Sequence, residues 1–360
     1  MALRILVTGC CGFVGSQILR RLRESLENVT LIGMDNLCRP GSERQRSVLK
    51  AQGIRFVHGD VRVTSDFESL PAVDWVIDAA ANPSVLAGVD GKSSSRQVLE
   101  HNFAGTVNLL EYCKRHSAGF VLLSTSRVYS IPALANLPLR PEGSRLTLDP
   151  AAALPTGASL HGIAEDFSTA PPLSLYGVSK KMSEDLALEY ASVFNLPVWI
   201  NRCGVMAGAG QFGRADQGIV AFWIHSWREA ARLRYLGFGG QGHQVRDALH
   251  PDDLAQLLLQ QLQLSPSPGQ PRLMNVSGGP ESSFSLAELS AWCGKHFGTE
   301  NPVIQDGTPR PFDLGWLILD DRLCRQTFNW RPAITRDKIF EQVAQFAKDN
   351  PQWLAVSAAE

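Results

Sequence analysis

Tyr176 and Lys180 stand four residues apart in YGVSKKMSEDLALEYASVF (176–194), a stretch with helical periodicity, so both side chains project from one face. An ammonium held near a phenol favours the phenolate, which lets a tyrosine move protons near neutral pH. Ser124 and Thr125 close the apolar run 120–123, at the carboxyl end of an expected strand. Open α/β sheets collect their ligands at such ends. A Tyr-x-x-x-Lys pair alone is common on exposed helices. It gains weight from the hydroxyls at that strand end and from a nucleotide site upstream.

That upstream site is residues 4–35. A short apolar run, 5–7, enters a glycine series at Gly9, Gly12 and Gly15. An amphipathic segment follows, with Phe13, Val14, Ile18, Leu19 and Leu22 on one side and Arg20, Arg21 and Arg23 on the other. A second β-type run, 29–32, leads to Asp35. Strand, glycine turn, helix, strand and acid is the outline of a dinucleotide site. Gly9 permits the turn, Gly12 lets backbone N–H groups approach a pyrophosphate, and Gly15 lets helix and strand pack closely. Asp35 suits the adenosine ribose hydroxyls and repels a 2′-phosphate, which favours NAD over NADP, although Arg39 supplies a nearby cation.

Further β-type runs at 54–58, 75–77, 120–123, 197–201 and 273–276 alternate with helical patterns at 97–116, 176–194, 219–233 and 251–262. The alternation predicts an α/β chain: a Rossmann-type doubly wound parallel sheet with a smaller, partly discontinuous C-terminal α/β substrate domain. Residues 1–202 plus about 244–276 are expected in the first unit, and about 203–243 and 277–360 in the second. Residues 36–47 read as a polar segment. Residues 131–170, rich in Pro, Ala and Leu with little periodicity, read as a long loop or lid.

The chain has 360 residues, 44% apolar and 19% charged, an ordinary balance for a globular enzyme. Lys plus Arg total 34 against 35 acids, a balance that argues neither for nucleic acid nor for an anionic membrane, and neither is expected as a partner. No apolar run is long enough to span a bilayer, and the seven cysteines lack zinc-type spacing, so reduced thiols and a cytoplasmic location are expected. Cys10 and Cys11 read as small packing residues. His225, His243 and His250 are too dispersed for a metal site, and no metal is expected. Trp223 and Trp227 read as core or as the rim of a substrate pocket.

Over nearly its whole length the chain resembles the extended short-chain dehydrogenase/reductases, the nucleotide-sugar epimerase and dehydratase group. The resemblance rests on TGCCGFVGS (8–16), HGDVR (58–62), STSRVY (124–129), YGVSK (176–180), QVRDALHPDDL (244–254), NVSGG (275–279) and NWRP (329–332). It implies that Thr125, Tyr176 and Lys180 are catalytic and that NAD is tightly bound and recycled. Gly9, Gly12, Phe13, Val14, Gly15, Asp35, Asn36, Ala79, Ala80, Ala81 and Cys203 would line the cofactor, with Asp60 and Val61 at the adenine and Lys180 at the nicotinamide ribose. Asn82, Ser126, Arg127, Gln211, Asp216, Gln217, Gln244, Arg246 and Arg310 would contact the nucleotide sugar, Arg246 and Arg310 at the diphosphate. Structural ion pairing of Arg246 with Asp247 or Asp253 is the plainer alternative. The helices at 97–116 and 176–194 are the pair with which this group dimerises, which implies a homodimer.

The group's 4,6-dehydratases carry an Asp-Glu pair directly after the catalytic threonine, where this chain has Ser126 and Arg127. Neither can serve as a carboxylate for water elimination. DNLCRPG (35–41), QFGRADQG (211–218) and GQGHQVRDALH (240–250) resemble the epimerases that invert C2 of a CDP-hexose through a transient 2-keto sugar. A 4-epimerase of a UDP-hexose and a non-catalytic or redox-sensing NAD-binding protein are the competing readings. Asp78 departs from the group, many of whose members have histidine there.

Overall fold

The computed structural model describes residues 2–358 apart from 90, 92, 93, 216 and 268. Its centre is a seven-stranded sheet, every pairing parallel. Across the sheet the strands run Leu273–Val276, Val198–Cys203, Gly119–Thr125, Trp75–Asp78, Leu3–Thr8, Val29–Asp35 and Arg55–His58. Gly119–Thr125 and Val198–Cys203 are buried along their whole length. Phe120 and Leu122 pack into one core layer while Val121 and Leu123 pack into the other, which is why such strands read as unbroken apolar runs. The strand order reverses between Leu3–Thr8 and Trp75–Asp78, and a crevice opens at that switch point.

A smaller sheet combines Val205–Met206, Val245–Leu249, Ser283–Ser285 and Trp316–Leu317. Val245–Leu249 was expected with the larger unit but pairs here. The chain returns to the large sheet only with Pro251–Gln261, which packs on Phe13–Ser25, and with Leu273–Val276. Trp223 and Trp227 belong to the core beneath the smaller sheet and do not rim the cleft.

The polar segment 36–47 runs into a helix, Glu43–Ala51, whose single buried side chain, Leu49, left no apolar stripe to read. The helix expected over 97–116 contains a π turn, Glu100–Ala104, between Ser95–Leu99 and Gly105–His116. The extra residue lets Asn102 face inward, where it bonds both backbone groups of Asn82 and the Ser179 hydroxyl. Helix Ile219–Arg228 stops short of 233 because Ala230 turns into the left-handed region.

The stretch 131–170 is neither loop nor lid. It forms helix Ile131–Ala135, a hairpin of Leu139–Glu142 with Arg145–Leu148, and a short pair, Ala158–Ser159 with Gly162–Ile163. Leu134, Leu137, Leu148, Ile163 and Phe167 pack against Val245, Leu314 and Trp316–Leu319, and no residue of the stretch reaches the cleft. Among the described residues no helix is long and apolar enough to cross a membrane.

Candidate active site

A cleft of about 460 Å³ runs along the carboxyl ends of the large sheet and under the smaller one. At one end lies the glycine turn. Gly9 has φ +62°, and a Cβ there would sit 2.7 Å from the Ala79 carbonyl oxygen across the switch point. A Cβ at Gly15 would collide with the Gly9 carbonyl oxygen. Gly12 caps helix Phe13–Ser25 with no side-chain hydrogen bond and no acid in the first turn, so its amino end faces the cleft as an uncapped anion site. The Asp35 carboxylate is held in the cleft lining by the N–H groups of Cys11 (2.9 Å) and Leu37 (2.8 Å). A dinucleotide fits these residues. Gly15→Ala is expected to weaken NAD binding at least about tenfold, checked by titration of NAD into the stripped protein.

Cys10 fills space against Gly33, where any Cβ would strike its sulfur, so it packs rather than reacts. Of the seven cysteines only Cys38 is exposed, while burial pushes Cys203 up to about 12 and Cys293 up to about 12. Burial and the Asp35 charge raise the Cys38 thiol as well, so one thiol per native chain is expected to react with a maleimide, slowly at pH 7.5 and faster as the pH rises, at Cys38 by peptide mapping.

The middle of the cleft holds Thr125, Tyr176 and Lys180. Helix Leu175–Val193 starts at Ser174, whose hydroxyl accepts from the Gly177 N–H (3.1 Å). A side chain at Gly177 would run into the Arg127 carbonyl, so glycine lets the first turn seat on 126–128 and brings Tyr176 to Thr125. Both side chains line the cleft. Burial pushes the Tyr176 phenol above its ordinary value, against the pull of Thr125 and the Arg127 charge. Burial pulls the Lys180 ammonium down, and Asp78 holds it up. Asp78 is itself buried and accepts from Thr8 Oγ1 (2.8 Å) and Thr106 Oγ1 (3.4 Å). The residue that departs from the group thus supplies a countercharge to Lys180.

At the far end three guanidinium groups converge. Arg127 donates to the Phe312 carbonyl (3.2 Å), and burial with the repulsion of Arg246 and Arg310 lowers it to about 10. Arg246 pairs with Asp313 at 3.3 Å, not with Asp247 or Asp253. Asp247 instead accepts from Ser277 and from the Leu319 N–H, and Asp253 accepts from the N–H groups of Ala333 and Ile334. Among the described residues that line this end, three cations face the one carboxylate of Asp313, which favours a diphosphate there. Gln211 Oε1, Gln244 Oε1 and Asp313 Oδ2 are buried in the lining without partners, acceptors suited to a base or a sugar hydroxyl.

Phe13, Val14, Asn36, Val61, Ala79, Ala80, Ala81, Ser126, Cys203 and Gln217 also line the cleft. Asp60 and Asn82 do not. The Asp60 carboxylate is taken by Arg62 and by Asn36, and Gly59 and Val61 reach the cleft beside it. Asn82 is held in a turn by Asn102, one step behind Ala81. Asp216 lies outside the described residues. Met34, Arg39, His101, Phe212 and Asp313 line the cleft without having been expected there. For Asp313 a signal existed in its position three residues after Arg310.

The pattern described as the NAD dependent epimerase/dehydratase family matches residues 5–277. CDP-paratose 2-epimerase of Salmonella typhi is 27% identical over 345 residues, covering 92% of this chain and 96% of that one. UDP-glucuronate 4-epimerase of Thermodesulfobacterium geofontis is 25% identical, covering 96% of each. Among solved structures, UDP-glucose 4-epimerase of Thermus thermophilus in complex with NAD superposes with TM-score 0.73 at 25% identity, covering 96% of this chain and 99% of that one. dTDP-glucose 4,6-dehydratase of Bacillus anthracis in complex with NAD gives 0.76 at 22%, covering 99% and 100%. The glycine cradle, the Thr125–Tyr176–Lys180 centre and the arginine pole therefore sit in a chain that belongs to the NAD dependent epimerase/dehydratase family, an NAD-dependent enzyme of nucleotide-sugar chemistry.

Proposed function

We propose that the protein epimerises a nucleotide sugar, inverting C2 of a CDP-hexose through a transient 2-keto sugar. The observation that carries the reading is Thr125, Tyr176 and Lys180 lining one cleft together with a dinucleotide cradle and a cation-rich pole, with Ser126 and Arg127 where elimination needs carboxylates. The CDP-paratose 2-epimerase from Salmonella typhi supports the choice of base and carbon.

NAD, when bound, supplies the hydride acceptor and, once reduced, the donor that restores the alcohol. Tyr176 takes the proton from the reacting hydroxyl and later gives it back, so no net proton is consumed. Thr125 holds that oxygen through its own hydroxyl. Lys180, charged against Asp78, orients the ribose beside it. Arg246 and Arg310 grip the diphosphate while the sugar turns over between half-reactions. A base must be deprotonated to act, so activity falls as pH drops through the Tyr176 pKa of the loaded enzyme. Arg246→Ala is expected to raise the sugar-nucleotide KM about tenfold or more with a smaller change in kcat, measured in steady-state assays.

A homodimer through helices Gly105–His116 and Leu175–Val193 fits the exposed Met182, Val193 and Phe194, and light scattering measures it. Seven unpaired cysteines fit a reducing, cytoplasmic setting. The deciding experiment is proton NMR of the purified protein with CDP- and UDP-hexoses and no added cofactor. A C2 epimer of a CDP-sugar is the expected product. A C4 epimer of a UDP-sugar keeps the chemistry and overturns the substrate. No turnover with NAD supplied overturns the enzymatic reading of these residues.

A further inference from the structure

Two loops border the mouth of the cleft from opposite sides. One, residues 36–42, follows Asp35 at the adenosine end; the other, residues 211–215 and 217–218, belongs to the side that faces the sugar. They touch each other. The Arg39 guanidinium lies 4.8 Å from the centre of the Phe212 ring and donates to Gln217 Oε1 at 3.1 Å. The second loop is folded tightly on itself: Arg214 and Gln217 exchange backbone hydrogen bonds of 2.7 and 3.2 Å, and Gly218 sits at φ +75° against the Phe212 carbonyl.

Behind this contact stands the last helix, Trp353–Ala358, which lies beyond the stretch matched by the family pattern. The Trp353 indole is almost fully buried and stacks on Phe212, ring centres 5.3 Å apart at 23°. Its N–H donates to the Gln211 carbonyl at 2.8 Å. Arg214 Nε donates to the Ser357 carbonyl at 3.0 Å. A Cβ at Gly41 would lie 2.7 Å from Val356 Cγ1 and 3.1 Å from Phe212, so the first loop presses directly on the same helix. Phe346 meets Trp353 edge-on at 5.1 Å and fixes it from the side of helix Arg336–Asp349. One helix therefore contacts both of these loops of the cleft lining.

We infer that Trp353 is a positioning residue for the reaction: its helix latches the two mouth loops together and keeps NAD in place between the two halves of the turnover. The inference rests on the epimerase reading, in which reduced cofactor must stay beside the transient ketone until the alcohol is restored. Loss of the latch frees the loops from each other, so bound NAD departs faster while the groups that do chemistry are untouched.

The test uses the full chain loaded with NAD, desalted, and sampled over time for NAD still bound, measured after denaturation. Trp353→Ala and a chain ending at Asn350 are expected to lose NAD at least about tenfold faster than the parent. Trp353→Phe, which keeps the stacking, is expected to stay near the parent. At saturating NAD the Trp353→Ala variant is expected to recover the parental kcat within about twofold, with a raised KM for NAD. Circular dichroism at saturating NAD reports whether each variant is folded. Should both fail to fold, Arg214→Ala, which removes only the bond to Ser357, carries the same expectation with a smaller change. A folded Trp353→Ala or Arg214→Ala chain that holds NAD as long as the parent overturns the inference. The release assay needs no sugar, so faster loss of NAD in a protein that turns over no nucleotide sugar would sustain the latch and reject the epimerase reading.

Discussion

Tyr176→Phe is expected to lower kcat by about two to four orders of magnitude while NAD stays bound. The phenylalanine ring occupies the same volume at the start of helix Leu175–Val193 and keeps its packing. What disappears is the hydroxyl to which the proposed mechanism gives the proton transfer. Thr125→Ala removes the other hydroxyl but leaves the acid/base group, so a smaller loss is expected, about tenfold to a hundredfold. Turnover of the NMR substrate, followed beside NAD content, checks both. A Tyr176→Phe enzyme within about tenfold of the parent would sink the proposed role.

Glu184→Ala is expected to cost about 3–5 kcal/mol of stability, the largest effect among residues outside the cleft. Glu184 and Arg202 form an ion pair of 2.7 Å with side chains 0% and 4% exposed. Glu184 also accepts from the Ser124 hydroxyl at 2.5 Å. Arg202 donates further to the Tyr129 hydroxyl (3.2 Å) and the Glu165 carbonyl (3.3 Å), and its guanidinium lies 5.0 Å from the Tyr129 ring centre. Tyr129 donates to Asn275, whose backbone N–H donates to Glu165. Removing the carboxylate leaves a buried guanidinium without its countercharge and Ser124 without an acceptor. Urea unfolding should show the midpoint falling accordingly. The pair Glu184→Leu with Arg202→Met should lose much less, because a buried charge is costly chiefly when left alone.

The parts of the site that could be read from residues alone are those built from local spacing. Gly9, Gly12 and Gly15 with Asp35 span one βαβ unit, and Tyr176 with Lys180 spans one helical turn, so their geometry is a property of short segments. Arg246 and Arg310 come from different elements, and only the resemblance brought them together. Phe212 and Trp353 could not be placed because what matters about them is a neighbour far along the chain. The same holds for 131–170: Leu139, Leu146 and Leu148 belong to a hairpin too short to show a period, and the stretch packs on Trp316–Leu319, whose approach no local pattern announces. Asp60 and Asn82 lie beside the cleft rather than in it because Arg62 and Asn102 bind them first. The π turn is invisible for a related reason: one extra residue rotates the helix by about 100°, but the helix before it, Ser95–Leu99, is too short to show a phase of its own.

The edge strand Leu273–Val276 joins its neighbour Val198–Cys203 only after the chain has laid down much of the smaller sheet and helix Pro251–Gln261. During synthesis the Val198–Cys203 edge, with Val198, Trp199 and Ile200 in its first half, waits for a partner about 70 residues downstream. At ribosomal speeds that is roughly 4–14 s of exposure. Pairings of such sequence separation are formed late and slowly. The nascent protein is therefore most prone to self-association in that interval, and chaperone dependence should concentrate there. A ribosome-stalled chain ending before 273 is the species in which that vulnerability resides.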